Sequence, residues 1–157
     1  LSWGKIIGNG ATNIIPDEVY LEGTFRTFNE EWRAQAHEKM VKIATGIAEA
    51  MGAVCEMEVR KGYPYLINEP ETTAQARAAA IDYLGEDNVV ELDLWPAAED
   101  FSYYSQVANA CFYRLGTGNK DKGIVSAVHT PTFDIDEKAL ELSIGLMAYI
   151  AISKLTK

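Results

Sequence analysis

The stretch from Asn29 to Gly52 constrains the fold more tightly than any other part of the chain. Trp32, Ala36, Met40, Ile43, Ile47 and Met51 recur every three or four residues, the spacing that gathers side chains on one face of an α-helix. Asn29 stands where an N-cap is needed, and Glu30 and Glu31 follow in the first turn, where the helix dipole favours acids. Gly52 comes just past the last apolar position, where helices commonly end in a left-handed residue. An amphipathic helix needs an apolar surface to lie on, and the flanking segments offer one. Val19, Leu21, Gly23 and Phe25 alternate with Tyr20, Glu22, Thr24 and Arg26; Cys55, Met57 and Val59 alternate with Glu56, Glu58 and Arg60. Period two is the pattern of a sheet with one face covered. Strands are therefore expected over Val19 to Phe25, over Val54 to Lys61, and over Trp3 to Ile7 ahead of the Gly8-Asn9-Gly10 turn. A helix on a mostly antiparallel sheet is an α+β arrangement.

The run from Gly62 to Pro70 breaks both periodicities and reads as a crossing between two domains. Beyond it, Thr72 or Thr73 is expected to cap an Ala-rich helix that ends at Gly85. Asn88 to Leu92 and Ala110 to Leu115 are candidate strands, and Glu99 to Tyr104 starts a short helix. The last helix is expected to be capped by Asp136 or Asp134 and to carry Leu140, Ile144, Met147, Ala151 and Leu155 on one face. Ile144 to Ile152 is apolar nearly all round, which predicts burial on more than one side and an α/β layer in the second domain.

Bulk properties exclude some partners. The 157 residues, 48% of them apolar, are enough for a substantial core. The net charge of −9 argues against nucleic acid or an anionic membrane surface as partner. Cys55 and Cys111 are too far apart in sequence for a C-x-x-C site and read as reduced, buried thiols. No secretory signal is visible and no apolar run is long enough to span a bilayer, so the expectation is a soluble, cytoplasmic protein. Leu1 to Ile7 reads like the inside of a strand from its first residue, which raises the expectation of a lost upstream segment.

Three places invite a chemical reading. Asn13 and Arg26 could grip a carboxylate, the guanidinium as a bidentate fork and the carboxamide as an extra donor; taken alone they fit an exposed arginine and a turn asparagine better. Gly116-Thr117-Gly118-Asn119 follows a candidate strand, and such loops let backbone N–H groups approach an anion or a carbonyl, yet the same sequence is common in turns. His129 lies in a polar turn before the last helix, and a solitary histidine is more often a hydrogen-bonding loop residue than a ligand. Glu99 and Asp100, adjacent on a helix start, diverge and make a poor acid/base pair.

Taken in order, these segments say more than each does singly. The succession Gly10 to Val19, Leu21 to Phe28, Gly62-Tyr63-Pro64, Ala98 to Tyr104, Arg114 to Asn119 and His129 to Glu137 resembles the C-terminal part of the M20 metallopeptidase/amidohydrolase family, nearest its hippurate hydrolase and N-acyl-amino-acid amidohydrolase branch. The resemblance implies most of an α+β lid and dimerisation domain in residues 1–62, an antiparallel sheet with helices on one face. Residues 63–157 would be the closing part of an α/β zinc-exopeptidase-like catalytic domain. It further implies hydrolysis of the amide bond of N-acyl amino acids or small peptides by a metal-activated water, with two divalent ions (Zn, Mn or Co) in an intact site. Asn13 and Arg26 would bind the substrate carboxylate, Gly116, Thr117 and Gly118 would line its pocket, and His129 would be the last metal ligand. A homodimer through the lid is implied as well. The remaining ligands and the general-base glutamate of the family have no counterpart in these residues, so no catalytic residue is assigned and the chain alone is expected to be inert. The alternative is a non-catalytic dimerisation or carboxylate-binding module.

Overall fold

A computed structural model describes residues 1–156. They form an α+β fold in two compact units, Leu1–Tyr65 with Trp95–Asp100, and Leu66–Leu94 with the residues from Phe101 on.

In the first unit, β1 (Ser2–Ile7) and β2 (Tyr20–Thr24) pair antiparallel, from Ile7↔Tyr20 at one end to Ser2↔Thr24 at the other. The register slips between Trp3 and Lys5, so Gly4 is the extra residue of a bulge. The bulge presses the strands together opposite Gly23. A Cβ there would stand 2.5 Å from the Ser2 carbonyl oxygen and 2.7 Å from the Trp3 ring, so only glycine fits. α1 (Glu30–Ala50) begins at Asn29, whose side-chain oxygen accepts the Trp32 N–H at 2.7 Å, and gives way at Gly52 with φ 77°. Both ends are as the sequence predicts.

The face that α1 buries is not the predicted one. Arg33 and Ala36 are buried and Met40, Val41, Ala44 and Ala48 half-buried, while Trp32, Ile43, Ile47 and Met51 are exposed, Ile43 and Ile47 by 59% and 61%. Neither strand packs against α1 among the described residues, contrary to the expected helix-on-sheet layer. Arg33 explains the rotation. Its Nη2 pairs with the Glu30 carboxylate and its Nη1 donates to the Tyr63 carbonyl, both at 2.5 Å, while Glu30 Oε1 accepts the Tyr65 N–H at 3.3 Å. A buried guanidinium must be paired, and this pairing turns the Arg33 side of the helix inward.

The expected strand from Val54 to Lys61 is absent, although its alternation survives: Cys55, Met57 and Val59 are half-buried and Glu56, Glu58 and Arg60 exposed. A strand exists only through a partner's ladder, and no described segment supplies one.

In the second unit, α2 (Pro70–Leu84) is capped by Glu69 rather than by Thr72 or Thr73, its carboxylate accepting from the Glu71 and Thr72 N–H groups at 3.0 and 2.6 Å. Pro70 takes the first helical position, which needs no donor. Gly85, at φ 89°, ends the helix before a short 3₁₀ turn (Glu86–Asn88). After α3 (Ser102–Ser105), α4 (Lys138–Leu155) runs antiparallel to α2, since Gln75 meets Lys154 while Asp82 and Tyr83 meet Tyr149. The α2–α4 contact is close because Gly145 has no side chain; a Cβ there would overlap the Tyr83 ring. Ala79, Ala139 and Leu146 are buried, but Leu140, Ile144, Met147, Ile152 and Leu155 are exposed, so α4 is not covered on several sides as expected.

The expected strands at Asn88 to Leu92 and Ala110 to Leu115 do not form either, and with them the α/β layer of the second unit is missing. At the second of these the backbone groups are engaged elsewhere. The Asn68 carboxamide donates to the Phe112 carbonyl at 2.9 Å and accepts its N–H at 2.7 Å, and the Glu69 N–H donates to the Ala110 carbonyl at 2.9 Å. One side chain replaces a ladder partner.

Gly23→Ala and Gly145→Ala are each expected to destabilise the chain by about 1–3 kcal/mol, the usual cost of forcing atoms into a packed contact. Urea unfolding would measure both, and Gly46→Ala, with open space at its Cβ position, serves as the control.

Candidate functional site

Asn13 lies in the excursion between the strands, in a tight turn closed by hydrogen bonds between Ala11 and Ile14 at 3.0 and 3.1 Å. That turn needs Gly10, because a Cβ at Gly10 would sit 2.4 Å from the Ile14 carbonyl oxygen. The side chain of Asn13 is exposed. Arg26 is exposed too, just beyond the Ser2/Thr24 end of the ladder, and has no ion-pair partner among the described residues. The loop carrying Asn13 leaves from the Ile7/Tyr20 end. The ladder thus sets the two residues at opposite ends of the hairpin and does not gather them around one ligand.

In the second unit, Thr117 of the predicted loop joins a network centred on Asp136. Asp136 is buried and its backbone N–H donates to the Thr117 carbonyl at 2.8 Å. Its carboxylate accepts from Asn119 Nδ2 at 2.5 Å, from Lys122 Nζ at 2.7 Å and from the Lys138 N–H at 3.2 Å. The last of these makes Asp136 the cap of α4 in function, although the residue flanking the helix is Glu137. These donors, Lys122 first, then Asn119 and the Lys138 N–H, hold the carboxyl at a pKa of about 2, below its ordinary 3.8. The Gly116–Gly118 segment is therefore fastened to the start of α4. The segment around Lys120 is a compact hairpin: Asn119 and Ile124 exchange backbone bonds at 2.9 and 2.8 Å, with Gly123 at φ 73°.

His129 is exposed, at φ 64°, the one non-glycine residue of positive φ among those described. Histidine tolerates that region better than most side chains, and such conformations persist only where the surroundings enforce them. Here the Thr130 hydroxyl donates to the Ala127 carbonyl at 2.7 Å, the Phe133 N–H to the Thr130 carbonyl at 3.1 Å, and the Ser126 and Thr132 hydroxyls meet at 2.8 Å. No three His, Cys, Asp or Glu side chains among the described residues come together as a metal site. The donor set among the described residues does not build the two-metal centre that the resemblance implies.

Other sequence expectations are met in part. Cys55 and Cys111 are free thiols, half-buried rather than buried. No described helix is long and apolar enough to cross a membrane. Sequence reasoning missed Asn119, Lys122 and Asp136 as one cluster, and Arg33 as a buried group. The i,i+3 spacing of Glu30 and Arg33 was the only local sign of the latter.

Comparison with known proteins gives the family of this chain. Residues 6–153 match the peptidase family M20/M25/M40, and the chain belongs to that family. It is 35% identical over 141 residues to thermostable carboxypeptidase 2 of Saccharolobus solfataricus, covering 89% of this chain and 35% of that protein. It is 31% identical over 153 residues to YhaA of Bacillus subtilis, assigned as an amidohydrolase, covering 98% of this chain and 39% of that protein. A crystal structure of a protein assigned as an aminohydrolase from methicillin-resistant Staphylococcus aureus superposes with a TM-score of 0.67 at 28% identity, over 99% of this chain and 40% of that one. The chain thus spans little more than a third of the length of these relatives.

The Asp136 network carries a pH prediction. Because its pKa is lower folded than unfolded, Asp136 contributes stability that is full above pH 4 and lost as the pH falls from about 4 towards about 2. The difference in urea midpoint between pH 5 and pH 2.5 is expected to be smaller in Asp136→Asn than in the unaltered chain.

Proposed function

We propose that the chain is the C-terminal part of a metal-dependent hydrolase that cleaves the amide bond of N-acyl amino acids or small peptides. Residues 1–62 are then most of its lid and dimerisation domain, and residues 63–157 close its catalytic domain. The observation that carries this reading is the family match over residues 6–153, supported by the left-handed, solvent-facing turn at His129 and the fastened Gly116–Gly118 loop. Backbone strain held in place by local bonds is what a pre-organised ligand position requires. Gly116, Thr117 and Gly118 line the substrate pocket, and His129 contributes one metal ligand.

Arg26 suits the carboxylate end of the substrate because its guanidinium is uncommitted and exposed. Asn13 adds a carboxamide donor. Since the hairpin separates them within one chain, the two would meet a common ligand through a rearranged loop or through a second copy. The exposed apolar side chains of α1, together with Trp3, Tyr20 and Leu21 of the hairpin, support self-association of the lid.

Two outcomes test this reading. The purified 157-residue chain with added Zn²⁺, Mn²⁺ or Co²⁺ is expected to leave N-acyl amino acids intact; turnover that vanishes with His129→Ala would overturn the assignment of an inert part. In a chain extended upstream to its relatives' length, His129→Ala is expected to lower hydrolysis by about a hundredfold or more, given that losing an outer partner of a ligand alone costs about 10–100-fold. In the same chain Arg26→Ala is expected to raise KM about ten- to a hundredfold with little change in kcat, the signature of lost binding to a non-reacting group. The alternative, a non-catalytic dimerisation or carboxylate-binding module, is favoured by the exposed stripe of α1. Under it Ile43→Glu with Ile47→Glu would abolish association in sedimentation, while the extended chain would show no hydrolysis at all.

A further inference from the structure

Both ends of the segment that carries His129 are fastened to one residue. The segment runs from 125 to 135. Before it, Ile124 exchanges two backbone hydrogen bonds with Asn119, at 2.9 and 2.8 Å. After it, Asp136 accepts the Asn119 carboxamide N–H at 2.5 Å. The other end of the same carboxamide is occupied as well: Oδ1 accepts the Asp121 and Lys122 N–H groups at 3.1 and 3.2 Å, which fixes the rotamer that aims Nδ2 at Asp136. Lys122 then closes the arrangement by reaching the second carboxylate oxygen at 2.7 Å. Asp136 is buried while the Lys122 side chain is more than half exposed, so the Asn119 bond is the better shielded of the two.

We propose that Asn119 is the positioning residue for His129, closing the base of the 125–135 loop with its main chain at one end and its carboxamide, through Asp136, at the other. The proposal rests on the reading of His129 as the functional residue of this loop. Closing a loop at its base removes much of the chain entropy that would otherwise let its tip wander. With both ends held, the Thr130–Ala127 and Phe133–Thr130 bonds are enough to keep His129 in a backbone conformation it would not choose freely. The same residue adjoins Gly118, so the histidine turn and the Gly116–Gly118 segment share one fixed point. Without the carboxamide, the far end of the loop keeps only the Asp136 N–H bond to Thr117 and the Lys122 contact.

Amide hydrogen exchange on the 157-residue chain separates the two ties. Asn119→Ala keeps the backbone bridge and removes the carboxamide. The Asp136 and Phe133 amides are expected to exchange about tenfold faster or more, as for loss of one bond to a charged group, while the Ile124 amide and those of α1 stay unchanged. The His129 ring resonances, with only His37 to distinguish, are expected to shift in the same variant. Asn119→Asp puts two carboxylates face to face and is expected to act like Asn119→Ala. Adding Asp136→Asn restores a carboxamide–carboxylate bond with the roles exchanged and is expected to return both exchange and ring resonances towards the unaltered chain. Unchanged Asp136 and Phe133 exchange, a uniform rise that includes α2 and α4, or an exchanged pair that rescues nothing would each overturn the proposal. Because these readouts do not depend on turnover, their failure is distinct from failure of the hydrolase reading, which shows as unchanged hydrolysis on His129→Ala in the extended chain.

Discussion

Four hydrogen bonds engage the N–H and carboxylate of Asp136, and they tie together several parts of the second unit. Its N–H ties it to Thr117, and its carboxylate takes donors from Asn119, Lys122 and Lys138. A carboxylate largely removed from water has to be satisfied by donors in place, and those recruited here come from the Asn119–Lys122 hairpin and the first turn of α4. The result is that the Gly116–Asn119 loop, the hairpin to Ile124 and the start of α4 cannot move independently. The α2–α4 contact, by comparison, is a matter of shape: a glycine at 145 lets Tyr83 approach, and the Tyr149 hydroxyl donates to Asp82.

A second constraint decides which elements exist at all. A helix satisfies its backbone from within, while a strand depends on another segment. All the long helices the sequence predicts are present, and their glycine stops at Gly52 and Gly85 are where the pattern puts them. Of the strands, only the two that face each other across a single excursion form a ladder. Val54 to Lys61 keeps a strand's alternation without a strand's bonds, and the Ala110–Phe112 backbone is engaged by Asn68 and Glu69.

The apolar surface left uncovered follows from the same asymmetry. Ile43, Ile47 and Met51 on α1, and Ile144, Met147 and Ile152 on α4, are spaced as core residues but face outwards.

The sequence by itself determined the helices, their caps at Asn29 and ends at Gly52 and Gly85, and the family, because these depend on local spacing and on the order of short motifs. Tertiary structure decided the rest. Which side of α1 turns inward depends on Arg33 finding Glu30 and Tyr63, and Tyr63 lies far along the chain. Whether an alternating segment becomes a strand depends on a ladder partner. Asn13 and Arg26 looked like neighbours in motif order, yet the β1–β2 register sets them at opposite ends of a hairpin. For His129, the motif pointed to the residue but not to its conformation. That conformation comes from a loop closed on Asn119 and Asp136, a juxtaposition of donors and acceptors that no spacing rule encodes.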